Sequence, residues 1–251
     1  MKDDLYSIIC NLLSLILPRY CIGCDRRLTE NERNLCLHCM IALPRTHLWL
    51  NPHENALAKA YWARTGAVEI EKAAAYLSYG PATLVGRMVK SFKYYGNRDL
   101  ACYLGSMMAQ ELMTSAFFDD IDCIVPVPIT LRRRWHRKYN QTEYLAKGIA
   151  KATRLPVYNK VLTRHSFSAS QTTRHTMIER IDNVAEAFAV NPKRMGELEG
   201  KHILLVDDVI TTVATTVACI RQLALIPGVK VSVLGFSTVQ SGDVRIEIDK
   251  K

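Results

Sequence analysis

The sequence predicts an α/β fold, a doubly wound parallel sheet preceded by a small N-terminal metal-binding module. Three observations predict it. The apolar runs Ile121 to Pro128 and Ile203 to Val206 read as buried strands, and helical periodicity follows each. Val229, Val231 and Val233 alternate as a further strand behind the second of those helices, with Gly228 marking the turn before it. Four of the eight cysteines fall in two Cys-x-x-Cys pairs near the start. A chain of 251 residues holds one α/β domain plus such an appendage. The division expected is 1–48 for an N-terminal helix and cysteine module, 49–118 for a helical connecting region, and 119–251 for the sheet domain.

Apolar content of 49% and charged content of 23% are those of an ordinary globular protein and exclude a disordered chain. The net charge of +9 favours anionic partners: phosphates, nucleotides or nucleic acid. Leu5 to Leu17 is the most apolar segment and reads as an amphipathic or buried helix, with attachment at a membrane surface as the lesser alternative. It is too short to span a bilayer, and Asp3 and Asp4 remove the positive start of a signal peptide.

Cys21-Ile22-Gly23-Cys24 and Cys36-Leu37-His38-Cys39 are separated by eleven residues. Each pair puts two thiolates on one tight turn. Two such turns facing each other supply a tetrahedron of soft ligands, a closed structural Zn2+ site with no open position for catalysis. His38 is a spare donor, but the set of Cys21, Cys24, Cys36 and Cys39 is complete without it. Cys10, Cys102, Cys123 and Cys219 stand among apolar residues and read as small core side chains. This usage fits a reducing, cytoplasmic setting rather than a disulfide framework.

Asn51 to Asn55 reads as a turn, and Tyr76 to Gly80 as a short strand ending at a glycine. Val85, Met88, Val89 and Phe92 form one face of a helix that Gly96 stops, and Leu100, Leu104, Met107, Met108 and Leu112 form the face of the next. Tyr94 and Tyr95 beside that stop are expected to pack between the two helices; stacking on a base is the second reading.

After Ile121 to Pro128 comes the densest basic run, with Arg132, Arg133, Arg134, Arg137 and Lys138 around Trp135 and His136. It is expected on a strand-to-helix loop, ahead of a helix capped by Asn140 with Glu143 three positions on. Guanidinium groups there suit a diphosphate, or a nucleic-acid backbone with Trp135 stacking on a base.

Asp207 and Asp208 follow the strand Ile203 to Val206, and a hydroxyl-rich turn leads into a helix with Val213, Val217, Ile220 and Ala224 inward. Open parallel sheets bind ligands beyond the carboxyl ends of their strands, and a helix N-terminus suits phosphate. Thr211, Thr212 and Thr215 add hydroxyl donors. The two acids suit sugar hydroxyls or a Mg2+-bound water. One ligand asks for the whole set: a phosphorylated ribose. Between Val161 and Ala187 lies a long polar stretch rich in Ser, Thr and Arg, which reads as a binding loop or lid. Val244 to Ile248 alternates as a final edge strand.

Asp207-Asp208-Val209-Ile210-Thr211-Thr212-Val213-Ala214-Thr215 resembles the phosphoribosyl diphosphate (PRPP) motif of type I phosphoribosyltransferases, acid-acid-x-x-Thr-x-Gly-x-Thr. Val213 stands where glycine is usual, which predicts a distorted phosphate cradle or weak turnover. Val125-Pro126-Val127-Pro128 with Arg133, Arg137, Asn140 and Gln141 resembles the ComF family's VPVP…R…RGFNQ signature. Lys138 and Tyr139 replace that family's Gly and Phe. Lys90 to Gly96 and the four paired cysteines match two more of its segments, so the likeness covers nearly the whole chain.

The resemblance implies a type I phosphoribosyltransferase-like doubly wound sheet with an N-terminal zinc module, in a family associated with DNA uptake. It implies Asp207 and Asp208 as the acids that hold the ribose hydroxyls and carry catalysis. Thr211, Thr212, Val213, Ala214 and Thr215 would hold the 5′-phosphate through backbone N–H groups, and Arg133 or Arg137 the diphosphate. Gln171, Arg180 and Asn183 would belong to a loop that closes over the sugar. Mg2+ would accompany PRPP. Competing expectations are a single-stranded-DNA-handling factor in DNA uptake, with its machinery as partner, and a nucleotide-sensing regulator.

Overall fold

The computed structural model of the protein describes residues 18–65, 68, 70–165 and 187–239. Leu5 to Leu17, Gln171, Arg180, Asn183 and Val244 to Ile248 lie outside the described residues. The sheet contains β1 (Ala73–Tyr79), β2 (Cys123–Pro126), β5 (His202–Ile210) and β6 (Lys230–Val239), all parallel, in the order β1-β6-β5-β2. Residues 49–118 are therefore more than a helical connection, because β1 supplies one side of the shared sheet. Backbone pairing continues beyond both outer strands. Residues 44–46 run along β1, and 156–158 along β2, so each outer strand is partly covered by the chain itself.

Parallel strands buried on both faces need helices on both faces. On one face lie α3 (Leu84–Tyr94), α4 (Arg98–Leu112) and α6 (Gln141–Thr153), sharing a core with Leu204 and Val206. On the other lie α2 (Ala56–Thr65) and α7 (Ala214–Leu223), sharing a core with Ile203 and Leu205. The α/β doubly wound class expected from sequence is the observed one. No helix among the described residues is long and apolar enough to cross a membrane.

Of the expected inward faces of α3 and α4, Val85, Met88, Val89, Phe92, Leu100, Leu104, Met108 and Leu112 are buried, while Met107 is half-buried at the core's margin. Asn97 caps α4, and its side chain accepts from the Leu100 N–H at 3.0 Å. Helices α4 and α6 pack backbone against backbone. A Cβ on Gly105 would meet the Leu145 carbonyl, and one on Gly148 the Cys102 carbonyl, so only glycine permits this crossing.

Three expectations change. The strand of the acidic pair does not end at Val206; it continues to Ile210, because the ladder with β6 carries on through Val209 opposite Ser237 and Ile210 opposite Thr238. The basic run is a short helix, α5 (Leu131–Arg137), capped by the Thr130 hydroxyl accepting from the Arg133 N–H at 3.3 Å. Its Leu and Arg residues are good helix formers, so the cap sufficed to fold a segment expected as a loop. The polar stretch after Val161 has paired ends: β3 (Leu162–Arg164) and β4 (Phe188–Val190) form an antiparallel ribbon.

The N-terminal module carries one short helix, α1 (Leu37–Ile41). It is not a separate body. Cys21, Leu28, Leu35, Leu43 and Trp49 share the core of α3 and α4. Arg45 pairs with Glu111 at 2.6 Å, and the Tyr76 hydroxyl donates to the same carboxylate at 2.6 Å.

Candidate functional site

The helices following β2 and β5, two neighbouring strands, cross to opposite faces of the sheet: α6 to one, α7 to the other. That divergence opens a crevice at the carboxyl ends, the usual ligand position of such folds. Here it is a cleft of about 250 Å3. Its lining includes Arg133, Arg137, Asp207, Asp208, Thr211 and Thr215, all expected from sequence, together with Tyr79, Lys93, Gln141, Thr142 and Arg164.

Side chains alternate along a strand, so two adjacent acids on β5 cannot face the same way. Asp207 lies on the side of α7. Asp208 lies on the side of α3 and α6, and both its oxygens are engaged: Lys93 Nζ sits 2.8 Å from Oδ1, and Gln141 Nε2 donates to Oδ2 at 2.6 Å. Asp208 is 6% exposed. The pair expected to act side by side is thus a divided one, with an anchored acid and an acid toward the turn. The Asp208 N–H donates to Asp207 Oδ1 at 2.8 Å, and no other hydrogen bond to the Asp207 carboxylate is present among the described residues.

Desolvation in the cleft, together with the Asp208 carboxylate, raises the Asp207 carboxyl to about 7. A carboxyl raised above its unfolded value binds protons more tightly in the folded chain. It adds no penalty below the unfolded value near 4 and a full one above about 7, so its contribution to stability falls as pH rises between them. Melting temperatures of wild type and Asp207→Asn, followed from pH 5 to 8, should diverge, with wild type losing ground at the alkaline end. Parallel curves would show that Asp207 titrates like an ordinary carboxylate.

Arg164, at the end of β3, rests its guanidinium 4.9 Å from the Phe188 ring centroid. Burial and the neighbouring Arg133 charge disfavour its protonation, while Asp207 favours it. Three guanidinium groups and one ammonium therefore line this cleft with two carboxylates, a surplus that an anionic ligand would neutralise.

The turn after β5 departs from expectation at Val213. Its backbone is right-handed, φ −71° and ψ −4°, so this turn asks for no glycine. Its side chain is buried with Val217 and Ile220 in the core of α7 and is absent from the cleft lining. The distortion expected from a β-branched residue is not observed, because the bulk points into the core. Ala214 opens α7, and Thr212 is exposed beside the cleft without lining it. The Thr216 hydroxyl, which bonds the buried Tyr61 hydroxyl at 2.6 Å, ties this turn to α2.

The ComF-signature departures also find places. Lys138 has φ +62°, the left-handed region where glycine is unstrained. Tyr139 is buried and donates its hydroxyl to the Phe92 carbonyl. Tyr94 and Tyr95, expected between helices, are 65% and 78% exposed, since α3 ends at Tyr94 and the chain turns away through Gly96 at φ +70°. The Arg137 guanidinium lies 5.1 Å from the Tyr94 ring centroid. Trp135 is 82% exposed on the neighbouring helix.

The sulfurs of Cys21, Cys24, Cys36 and Cys39 lie within 4.8 Å of one another, and no other cluster of metal-ligating groups occurs among the described residues. A tetrahedron with metal–sulfur bonds of about 2.3 Å has edges of about 3.8 Å. The Cys24–Cys36 sulfur separation is 3.7 Å. Backbone N–H groups of Gly23 and Cys36 point at the Cys21 sulfur at 3.3 and 3.2 Å, an arrangement that favours thiolate. The cluster can hold a metal ion.

No protein-family model matches the chain. The DNA utilization protein YhgH of Salmonella typhi is 30% identical over 211 residues, covering 82% of this chain and 83% of that protein. Competence protein F of Haemophilus influenzae is 31% identical over 94 residues, 38% of this chain and 40% of that one. Among solved structures, the glutamine phosphoribosylpyrophosphate amidotransferase of B. subtilis is 22% identical with a TM-score of 0.39, over 58% of this chain and 30% of that one.

Proposed function

The chain belongs to the ComF-like family of DNA utilization protein YhgH and competence protein F, and from that premise we propose that its cleft binds PRPP with Mg2+ and supports phosphoribosyl transfer. One observation carries the reading. The acid Asp207, the hydroxyl-bearing turn Thr211 to Thr215 that opens α7, and Arg133, Arg137 and Arg164 converge on one crevice. An acid suits sugar hydroxyls, a helix opening suits a 5′-phosphate, and guanidinium groups suit a diphosphate.

In this reading a nitrogen nucleophile attacks C1 of the ribose, the bond from C1 to the diphosphate oxygen breaks, and diphosphate leaves with the electron pair. The nucleophile's proton passes to solvent. Asp207 orients the ring through its hydroxyls and offsets positive charge developing on it. The arginines offset the charge gathering on the departing diphosphate. Mg2+, when bound, shields the diphosphate, and Asp207 is the carboxylate with lone pairs to spare for it or its water. In the N-terminal module Zn2+ is the metal that four thiolates in a closed tetrahedron suit, and its role is structural.

PRPP with Mg2+ should raise the melting temperature of wild type but not of Asp207→Ala, and a panel of bases should contain one that releases diphosphate. No thermal shift in wild type would remove the sugar-phosphate site. A second reading, single-strand handling in DNA uptake, draws on the exposed Trp135, Tyr94 and Tyr95 beside Arg134 and Arg137. An oligonucleotide titrated at low salt in place of PRPP separates the two, because aromatic stacking would quench Trp135 fluorescence.

A further inference from the structure

Gln141 is the first residue of α6, 3% exposed, and lines the cleft. Its placement is fixed from both sides. Asn140 Nδ2 and Thr142 Oγ1 both donate to the Val127 carbonyl, at 3.1 and 2.6 Å, which pins the start of α6 to the end of β2. Its amide is oriented by chemistry. A carboxylate only accepts, so the group 2.6 Å from Asp208 Oδ2 must be the NH2, and the carbonyl oxygen must be the other. That oxygen, Oε1, is buried and has no hydrogen-bond partner among the described residues. A buried acceptor left unpaired is costly, and in a residue lining a ligand cleft the partner to expect is the ligand.

We infer that Gln141 is a specificity residue whose Oε1 accepts a hydrogen bond from a ring hydroxyl of the bound sugar phosphate, so that the cleft selects ribosyl over deoxyribosyl ligands. The inference rests on the phosphoribosyl reading above and names the group that ligand must present. A phosphoribosyl diphosphate has no N–H, and its phosphates are ionised acceptors near neutral pH. The only donors it carries are the hydroxyls at C2 and C3. Asp208 acts on the sugar through Gln141: its charge locks the amide, which leaves one unpaired acceptor of fixed direction. A glutamine acceptor also does what a second free carboxylate there could not, since it reads a hydroxyl without adding negative charge next to Asp207 and the phosphates.

Calorimetric binding of ribose 5-phosphate, 2-deoxyribose 5-phosphate and 3-deoxyribose 5-phosphate tests this on the full-length protein. Wild type should bind one of the two deoxy analogues at least about tenfold more weakly than ribose 5-phosphate. In Gln141→Met, which keeps side-chain length but removes the acceptor, ribose 5-phosphate should weaken and that preference should fall to near unity. Equal binding of all three by wild type overturns the inference without any variant, whatever the variant's folding. A preference that survives in Gln141→Met overturns it too, while leaving the phosphoribosyl site standing. Failure of wild type to bind any sugar phosphate, or PRPP with Mg2+, overturns the site itself and this inference with it.

Discussion

Replacing Cys36 with serine is expected to strip the metal from the N-terminal module and to lower the melting temperature by more than any single change in the cleft. Cys36 is fully buried, and its sulfur also caps α1 by accepting from the Cys39 N–H at 3.4 Å. Serine is itself a favoured cap, so the helix start is kept and the metal ligand alone is lost. Structural zinc contributes roughly 10–16 kcal/mol in small isolated zinc modules. Here the module also shares a core with Met88, Phe92 and Leu104, so its loss would strip cover from α3 and α4. Metal content, thermal melting and proteolysis before residue 50 should all respond, and a chelator should reproduce the change in wild type. A Cys36→Ser protein that retains stoichiometric metal and its melting temperature would sink the four-thiolate centre.

The second large effect separates the neighbouring acids. Asp208→Ala leaves Lys93 Nζ with no carboxylate in a site where its side chain is 18% exposed, and leaves Gln141 Nε2 without its acceptor. Breaking one partner of a buried pair costs about 3–5 kcal/mol, which the residual exposure of Lys93 trims to about 2–3. For a chain of this size that is a melting-temperature loss of roughly 5–10 °C. Asp207→Ala should change little, or stabilise slightly at pH 8, because burial already disfavours that charge. The double change Lys93→Met with Asp208→Leu should recover part of the loss, since an apolar pair can replace a buried ionic one. Equal losses at both positions would mean that the division of labour is wrong.

How far the site was legible depends on sequence distance. The strand, two acids, hydroxyl turn and helix lie within one local segment, and local periodicity was enough to identify the unit. The cysteine knuckles were legible for the same reason. In sequence, Lys93 and Gln141 belong to segments that resemble the family and Arg164 to a polar run, but their meeting at Asp208 and Asp207 is not readable. They come from α3, α6 and β3, and only packing on both faces of the sheet brings them together. The length of β5 is not legible locally, because its last four residues contain the two acids and a ladder partner supplied from β6 overrides their poor strand propensity. Tyr94 and Tyr95 read from sequence as packed between two helices. Their exposure follows from the helix end that Gly96 marks, where positive φ swings the chain away.

The backbone contact through Gly105 and Gly148 has a bearing on how the crevice meets its ligand. It welds α4 to α6, and α4 follows α3 after a three-residue turn, so the lysine and the glutamine flanking Asp208 ride on a single stiff frame. The arginines are mounted elsewhere, two on the short exposed α5 and one on a two-stranded ribbon. The cleft thus has one wall fixed by backbone-to-backbone packing and another carried on a short helix and a two-stranded ribbon. In the phosphoribosyl reading proposed above, the sugar would lie against the fixed wall and the phosphates against the arginines.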